Sequence, residues 1–208
     1  MYGKVLIAVL MLCVGCNKNG LDFELYGAIS DKSFNNQPLS GASIELYAYP
    51  LGSSFPKLIA EQITSGSGNY KFTIPRERVV KYELKVFKEG YFRNTTTINF
   101  SELTTENANN INVAMNAIAW VKISLKNTFS PNSSDELKLL KIDFYSGCAS
   151  CCQNGFSYYF GNIDTVLSCP TLPNDFVRIH HWLNETEKYG YDSLLTKPLD
   201  TVYLDITY

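Results

Sequence analysis

Ser43-Ile44-Glu45-Leu46-Tyr47-Ala48-Tyr49 is the stretch that decides the fold class. Ile44, Leu46 and Ala48 alternate with Glu45, Tyr47 and Tyr49, a period of two that gives a strand one buried and one wet face. The same period recurs in both directions. Phe23, Leu25 and Ile29 share a face upstream; Tyr70, Phe72 and Ile74, then Tyr82, Leu84 and Val86, share faces downstream. Residues 56–64 and the Thr-rich stretch 91–100 read as weaker strands, and Ile111, Val113 and Met115 close the set. Gly, Asn, Ser and Pro bound the runs, which is strand-and-turn chemistry. Such a set predicts a two-sheet antiparallel sandwich over residues 22–116.

A second set begins after residue 117. Val121, Ile123 and Leu125 alternate, and 139–145, 164–168, 176–182, 189–195 and 202–208 read as further strands. Pro170, Pro173 and Pro198 fall between runs or at their ends, where proline is tolerated. A second sandwich, immunoglobulin- or fibronectin-like, is expected over 118–208. Only 101–107 and 134–141 have short-helix character. The expected fold class is therefore all-β, with two tandem antiparallel β-sandwich domains (Ig-like/transthyretin-like).

Within the first set, Gly27-Ala28-Ile29-Ser30-Asp31 precedes Pro38-Leu39-Ser40-Gly41-Ala42-Ser43-Ile44-Glu45-Leu46. Thr64, Gly68-Asn69-Tyr70-Lys71-Phe72 and Tyr82-Glu83-Leu84-Lys85-Val86 follow, leading to Gly90-Tyr91. This order resembles the carboxypeptidase regulatory-like domain, a transthyretin-like β-sandwich. Ser65 stands where that family often has Asp. The resemblance implies a non-catalytic module that accompanies an enzyme, a transporter plug or another binding domain, and it brings no catalytic residue. A related sandwich family welds an inward Lys of its first strand to an Asn, but residues 22–30 contain no Lys.

The N-terminus reads as an address. Lys4 precedes the apolar run 5–12, eight residues that are too few for a bilayer span of about twenty. Val14-Gly15-Cys16 then gives way to the polar, turn-prone Asn17-Lys18-Asn19-Gly20. A charge, an apolar run and a small residue make an export signal, and the ending resembles a bacterial lipoprotein signal. Cys13 stands where that pattern usually has Leu. The resemblance implies a signal peptide at 1–15, lipidation at Cys16 and a tether at 16–21. The five residues 17–21 reach less than about 20 Å when extended. The expected location is the cell envelope, anchored by lipid at the outer membrane and facing the periplasm or the cell surface.

Removing residues 1–15 takes away one Lys and no acid, leaving 17 basic against 20 acidic side chains and a net charge of −3. That gives no basic footprint for nucleic acid.

With Cys16 lipidated and Cys13 removed, Cys148, Cys151, Cys152 and Cys169 remain. An exported chain meets an oxidising compartment, so two disulfides are expected. A bond between the neighbours Cys151 and Cys152 is strained, which favours one bridge within 148–152 and one to Cys169. A zinc site fits poorly, because Cys151 and Cys152 are adjacent rather than set in separated pairs. The Cys148–Cys151 spacing is that of a redox motif, but a turn follows it instead of a helix.

The aromatics Tyr47, Tyr49, Tyr158, Tyr159 and Phe160 exceed what one core face needs. Tyr158, Tyr159 and Phe160 are candidate ligand contacts, since exposed rings stack on sugars or anchor a protein. His180 and His181 are strand neighbours aimed at opposite faces. Ser168, His180 and Asp175 could be drawn as a triad, but no Gly-x-Ser-x-Gly elbow supports it. Glu185 and Glu187 read as solvated turn residues. No catalytic residue, metal ligand or cofactor is expected. The expected function is a non-enzymatic envelope module for a glycan, a peptide or an outer-membrane protein. The alternatives are an adhesin-type spacer with the cystine loop as its contact tip and, more weakly, a hydrolase.

Overall fold

The computed structural model describes residues 22–128, 134–184 and 188–208. Cys13, Cys16 and the tether lie outside them, as do Glu185 and Glu187. The described chain is all-β, with two single-turn 3-10 segments at Lys32–Phe34 and Phe100–Glu102. Among the described residues no helix is long and apolar enough to cross a membrane.

The strands of the first half are β1 (Phe23–Asp31), β2 (Gln37–Pro38), β3 (Ser43–Pro50), β4 (Lys57–Ile63) and β5 (Asn69–Ile74). They continue with β6 (Val79–Phe87), β7 (Asn94–Asn99), β8 (Asn109–Asn110) and β9 (Val113–Met115). One sheet runs β4-β3-β6-β7; in the other, β1 pairs with β2, β5, β8 and β9. The apolar sets read from the sequence face one another across this sandwich. Leu25 and Ile29 of β1 meet Ile44 and Leu46 of β3 and Leu84 of β6 in one fully buried cluster. Phe23 packs edge-on to Tyr82 of the opposite sheet at 6.5 Å. Burying each such side chain contributes roughly 1.5–3 kcal/mol.

The second half comprises β10 (Ala119–Lys126), β11 (Glu136–Ile142), β12 (Gly155–Phe160) and β13 (Asp164–Thr171). It is completed by β14 (Phe176–Leu183), β15 (Lys188–Leu195) and β16 (Thr201–Thr207). Its sheets are β13-β10-β16 and β12-β11-β14-β15, around a separate cluster that includes Val121, Ile123, Leu137, Leu139, Val177 and Ile179. An immunoglobulin order would place the first strand in one sheet with the second, fifth and fourth. This half instead repeats the first: β10 stands where β1 does, β13 where β5 does and β16 where β9 does.

Pairing is not antiparallel throughout. β8 and β9 run parallel to β1, and β16 runs parallel to β10. Parallel neighbours need a long crossover, and the excursion through the opposite sheet supplies it. Of residues 134–141, read as a possible helix, 136–141 belong to β11, with Leu137, Leu139 and Lys141 facing inward. Pairing with β12 on one side and β14 on the other overrides the local preference of a Glu-, Lys- and Leu-rich segment. The other helix candidate, 101–107, overlaps the Phe100–Glu102 turn, where the Glu102 carboxylate accepts from the Asn99 backbone N–H at 3.2 Å. The strand expected over 139–145 ends at Ile142, because Asp143 takes a left-handed conformation (φ 64°). Residues Gly155–Phe160, outside the expected strands, form β12.

The halves meet at a hydrogen-bonded seam. The Ile118 N–H donates to the Gly90 carbonyl at 2.7 Å, and Asn174 Nδ2 donates to the Ser33 carbonyl at 3.0 Å. Gly90 sits at φ 80°, which a residue with a Cβ adopts only under strain. Beside the seam, buried Asp31 accepts from the Tyr91 hydroxyl and from the Ser33 N–H. Burial, with the Asp31 contact second, pushes the Tyr91 phenol well above its ordinary range.

Thr64 closes the loop before β3. Its buried hydroxyl donates to the Leu39 carbonyl at 2.7 Å and accepts from the Ala42 N–H at 2.9 Å. Thr64→Val keeps the shape and strands both backbone groups, each costing about 1–3 kcal/mol if left unpaired. Urea unfolding should therefore show a midpoint shift worth at least about 1 kcal/mol.

Candidate functional site

The outer face of β12-β11-β14-β15 carries the densest group of exposed rings. Alternation along each strand selects its members. On β14, Val177 and Ile179 are buried, so His180 and Trp182 turn outward. On β12, Phe156, Tyr158 and Phe160 are exposed while Tyr159 points in. On β15, Tyr189 and Tyr191 are about half exposed.

Register then lines these residues up. Lys138 of β11 lies between Tyr158 of β12 and Trp182 of β14, and Trp182 is opposite Tyr189 of β15. The adjoining row is Phe156, Leu140, His180 and Tyr191. His180 stacks on Trp182 with an interplanar angle of 14° and centroids 6.0 Å apart, and Tyr191 lies 4.7 Å from His180. His180 Nδ1 and the Tyr189 hydroxyl are 2.7 Å apart, the tautomer deciding which donates. The Lys138 ammonium sits 4.4 Å from the Phe156 centroid, 5.5 Å from Trp182 and 5.8 Å from Tyr158. Such cation–π contacts contribute roughly 0.5–1 kcal/mol at exposed sites. The rings are therefore held on a paired sheet rather than on loops.

One glycine helps to sort the two faces. Gly190 of β15 is opposite His181, whose imidazole lies across it. A Cβ at Gly190 would come within 2.1 Å of the ring atoms Cε1 and Nε2. The inward His181 also lies 3.8 Å from the Asp192 carboxylate. The two histidines thus occupy opposite faces.

Of the three aromatics named from the sequence, the structure puts Tyr158 and Phe160 on the exposed face. Tyr159 is corrected to an inward residue packed against the second core, because it is the odd member of a period-two strand. Burial raises its phenol pKa. Reading the sequence for surplus rings misses Phe156, Tyr189, Tyr191 and Lys138. A signal for the tyrosines is present, since Trp182 with Tyr189 and His180 with Tyr191 are spaced symmetrically in the sequence about positions 185 and 186. The drawn triad does not converge. Ser168 is exposed on β13 of the three-stranded sheet, whereas His180 faces out from the four-stranded sheet on the other side of the sandwich. Lys141 is buried with its ammonium 2.5 Å from Ser157 Oγ, and burial lowers its pKa.

Cys148 pairs with Cys151, and Cys152 with Cys169. Cys169 is fully buried in β13, so the second bridge ties the loop before β12 to the opposite sheet. This loop is not a distal tip. Tyr145 at its start packs on Phe92 of the first half with ring centroids 4.6 Å apart. Cys148 and Ser150 line a cleft of about 320 Å³ there, with Phe92, Arg93, Trp120 and Pro170.

No protein-family model matches the chain, and no curated protein matches it. Among solved structures, a streptococcal ancillary pilin aligns at 12% identity and TM-score 0.40, over 90% of this chain and 63% of its own length. The chain thus spans less than two thirds of that pilin. A DUF3823 family protein from Parabacteroides merdae ATCC 43184 aligns at 11% identity and TM-score 0.34, over 85% of this chain and 98% of its own. The shaft pilin SpaA from Lactobacillus rhamnosus GG aligns at 12% identity and TM-score 0.33, over 89% and 96%. At this level of similarity they carry no information about function.

The Cys152–Cys169 bridge closes a 17-residue separation, and constraining a loop of that size contributes about 3 kcal/mol. The double variant Cys152→Ala/Cys169→Ala should lose about that much by denaturant unfolding, while Cys148→Ala/Cys151→Ala, which opens a much shorter loop, should lose less.

Proposed function

We propose that this protein is a non-enzymatic binding module of the bacterial cell envelope, lipidated at Cys16, whose contact surface is the aromatic face of its second half and whose ligand is a glycan. The observation that carries the reading is the exposed ring array on a fixed sheet. A pyranose has one largely apolar C–H face and a rim of hydroxyls. Rings with polar tips (tyrosine, tryptophan, histidine) offer a flat apolar surface to the first and hydrogen-bond partners to the second. Holding them on strands lowers the entropy lost on binding. Of the eight residues in the two central rows, Tyr158, Tyr189, Tyr191, Trp182 and His180 carry such polar tips. Leu140 is the one aliphatic residue in the two central rows.

The spacer reading draws on a different observation. β1 and β10 have nine and eight residues. Laid in series at about 3.3 Å per residue, they would hold the far end of the second half roughly 55 Å from Asp22. A spacer of that length and a binding face on its outer half are compatible parts of one molecule.

Two measurements test the proposal. Trp182→Ala should weaken retention in glycan affinity electrophoresis by at least about tenfold, the loss of one well-placed stacking contact, in a variant that circular dichroism shows to be folded. Unaltered retention would sink the glycan reading. A clickable palmitate analogue fed to growing cells should label the wild type and leave Cys16→Ala unlabelled, and equal labelling would remove the anchor.

A further inference from the structure

Both halves carry lysine ammonium groups over aromatic rings on the outer face of the four-stranded sheet, from different strands and with different charge compensation. In the first half the outer face of β4-β3-β6-β7 holds Tyr47 and Tyr49, with Lys85 and Lys81 over their rings at 4.4 and 4.5 Å. That face also contains its own counter-charge. The Glu83 carboxylate accepts from Lys81 Nζ at 2.7 Å and from the Tyr49 hydroxyl at 2.6 Å, and lies 3.8 Å from Lys85 Nζ. Glu45 accepts from the Tyr47 hydroxyl at 3.0 Å. The Lys81 hydrogen bond, followed by that from Tyr49, lowers the Glu83 pKa. The cations and phenols of this face are paired within the protein.

In the second half the cation set over rings is Lys138, on β11, the counterpart of β3 rather than of β6, and it lies over three rings rather than one. Among the described residues no carboxylate lies within 4 Å of it. Glu136, two residues away on the same strand and face, is not ion-paired with it, and Arg178 further along the face is paired with Asp143 at 2.9 Å. Ring quadrupoles stabilise an ammonium without cancelling its charge. The face therefore presents hydrogen-bonding rings around one uncompensated positive charge.

We infer that the glycan bound by this face is an acidic one, with the carboxylate or sulfate of a sugar unit meeting the Lys138 ammonium while neighbouring units stack on Trp182, Tyr158 and Tyr189. The inference rests on the proposed function and deepens it. The first half pairs its lysines with internal carboxylates, whereas among the described residues Lys138 has none within 4 Å. A charge-assisted contact beside a low-dielectric ring surface is stronger than the same contact in water.

Matched pairs of oligosaccharides that differ only in charge separate the possibilities: oligogalacturonate against its fully methyl-esterified form, and a sulfated dextran oligomer against dextran. Calorimetry on the full chain at low salt should show at least one anionic member bound about tenfold or more tightly than its neutral counterpart. Lys138→Gln should cut the anionic member's advantage over its neutral counterpart to about twofold or less, Lys138→Arg should retain it, and half-molar salt should erode it. Which pair responds tells carboxylate from sulfate. Equal affinity within every pair, or a preference for the anion that survives Lys138→Gln, overturns the inference and leaves the glycan reading standing. No binding of any member overturns both, as does Lys138-dependent binding confined to an acidic peptide included as a control.

Discussion

In each half the first strand is held between an antiparallel neighbour and a parallel one, and much of the remaining arrangement follows from that. β1 pairs antiparallel with β5 and parallel with β9; β10 pairs antiparallel with β13 and parallel with β16. A last strand parallel to the first leaves the sandwich at the pole opposite the one where the chain entered. The second half therefore begins where the first ends, and the two follow in series with a short join. The join then has to be fixed by contacts from both sides. The Tyr91–Ala117 bridge and the Gly90 and Ser33 carbonyls supply them from the first half, and Leu199 and Asn174 from the second. The cystine loop leaves β11 at this same pole, which is why its rings and sulfurs lie at the seam.

The lateral faces are what such a series leaves open, and alternation decides their chemistry. Each strand of the four-stranded sheets must send one side chain in two to the core. On β14 the buried Val177 and Ile179 fix the phase, and that phase carries His180 and Trp182 outward. A one-residue slip would bury Arg178 and Trp182 and expose Ile179. Gly190 adds a local guarantee, since the His181 ring occupies the space a side chain there would need. The aromatic face and the second core are thus two sides of one register.

This explains what was legible in the sequence. In the first half buried apolar residues alternate with charged or polar ones, and Ile44, Leu46, Tyr82 and Leu84 could be assigned to the core directly. In β12 the period is hidden, because Phe156, Tyr158, Tyr159 and Phe160 are aromatic on both faces, and the strand reads as surplus rings. β11 is hidden differently: Glu136-Leu137-Lys138-Leu139-Leu140-Lys141 has the composition of a helix, and only its two neighbours make it a strand. The parallel closing strands leave no local mark at all. The ring array was the least legible feature. Its members come from four strands spread over residues 138–191, and they converge only through pairings between segments distant in the chain. The cysteines were easier, since adjacency ruled out one pairing and export chemistry favoured oxidation.

The comparison of the two lateral faces bears on how such a repeat could diverge. The first places two lysines over aromatic rings and the second places one, each on the four-stranded sheet. The separating step is the carboxylate. With Glu83 present, lysine and tyrosine donors are satisfied internally, and a ligand would have to displace those bonds before gaining its own, losing most of the net benefit. Lys138 has no carboxylate within 4 Å among the described residues, so its charge stays open, although the Tyr189 hydroxyl remains engaged with His180 Nδ1. Two acidic residues, Glu83 and Glu45, therefore make the first face a self-satisfied surface, while the second half, built on the same strand order, leaves the charge of Lys138 uncompensated within 4 Å among the described residues.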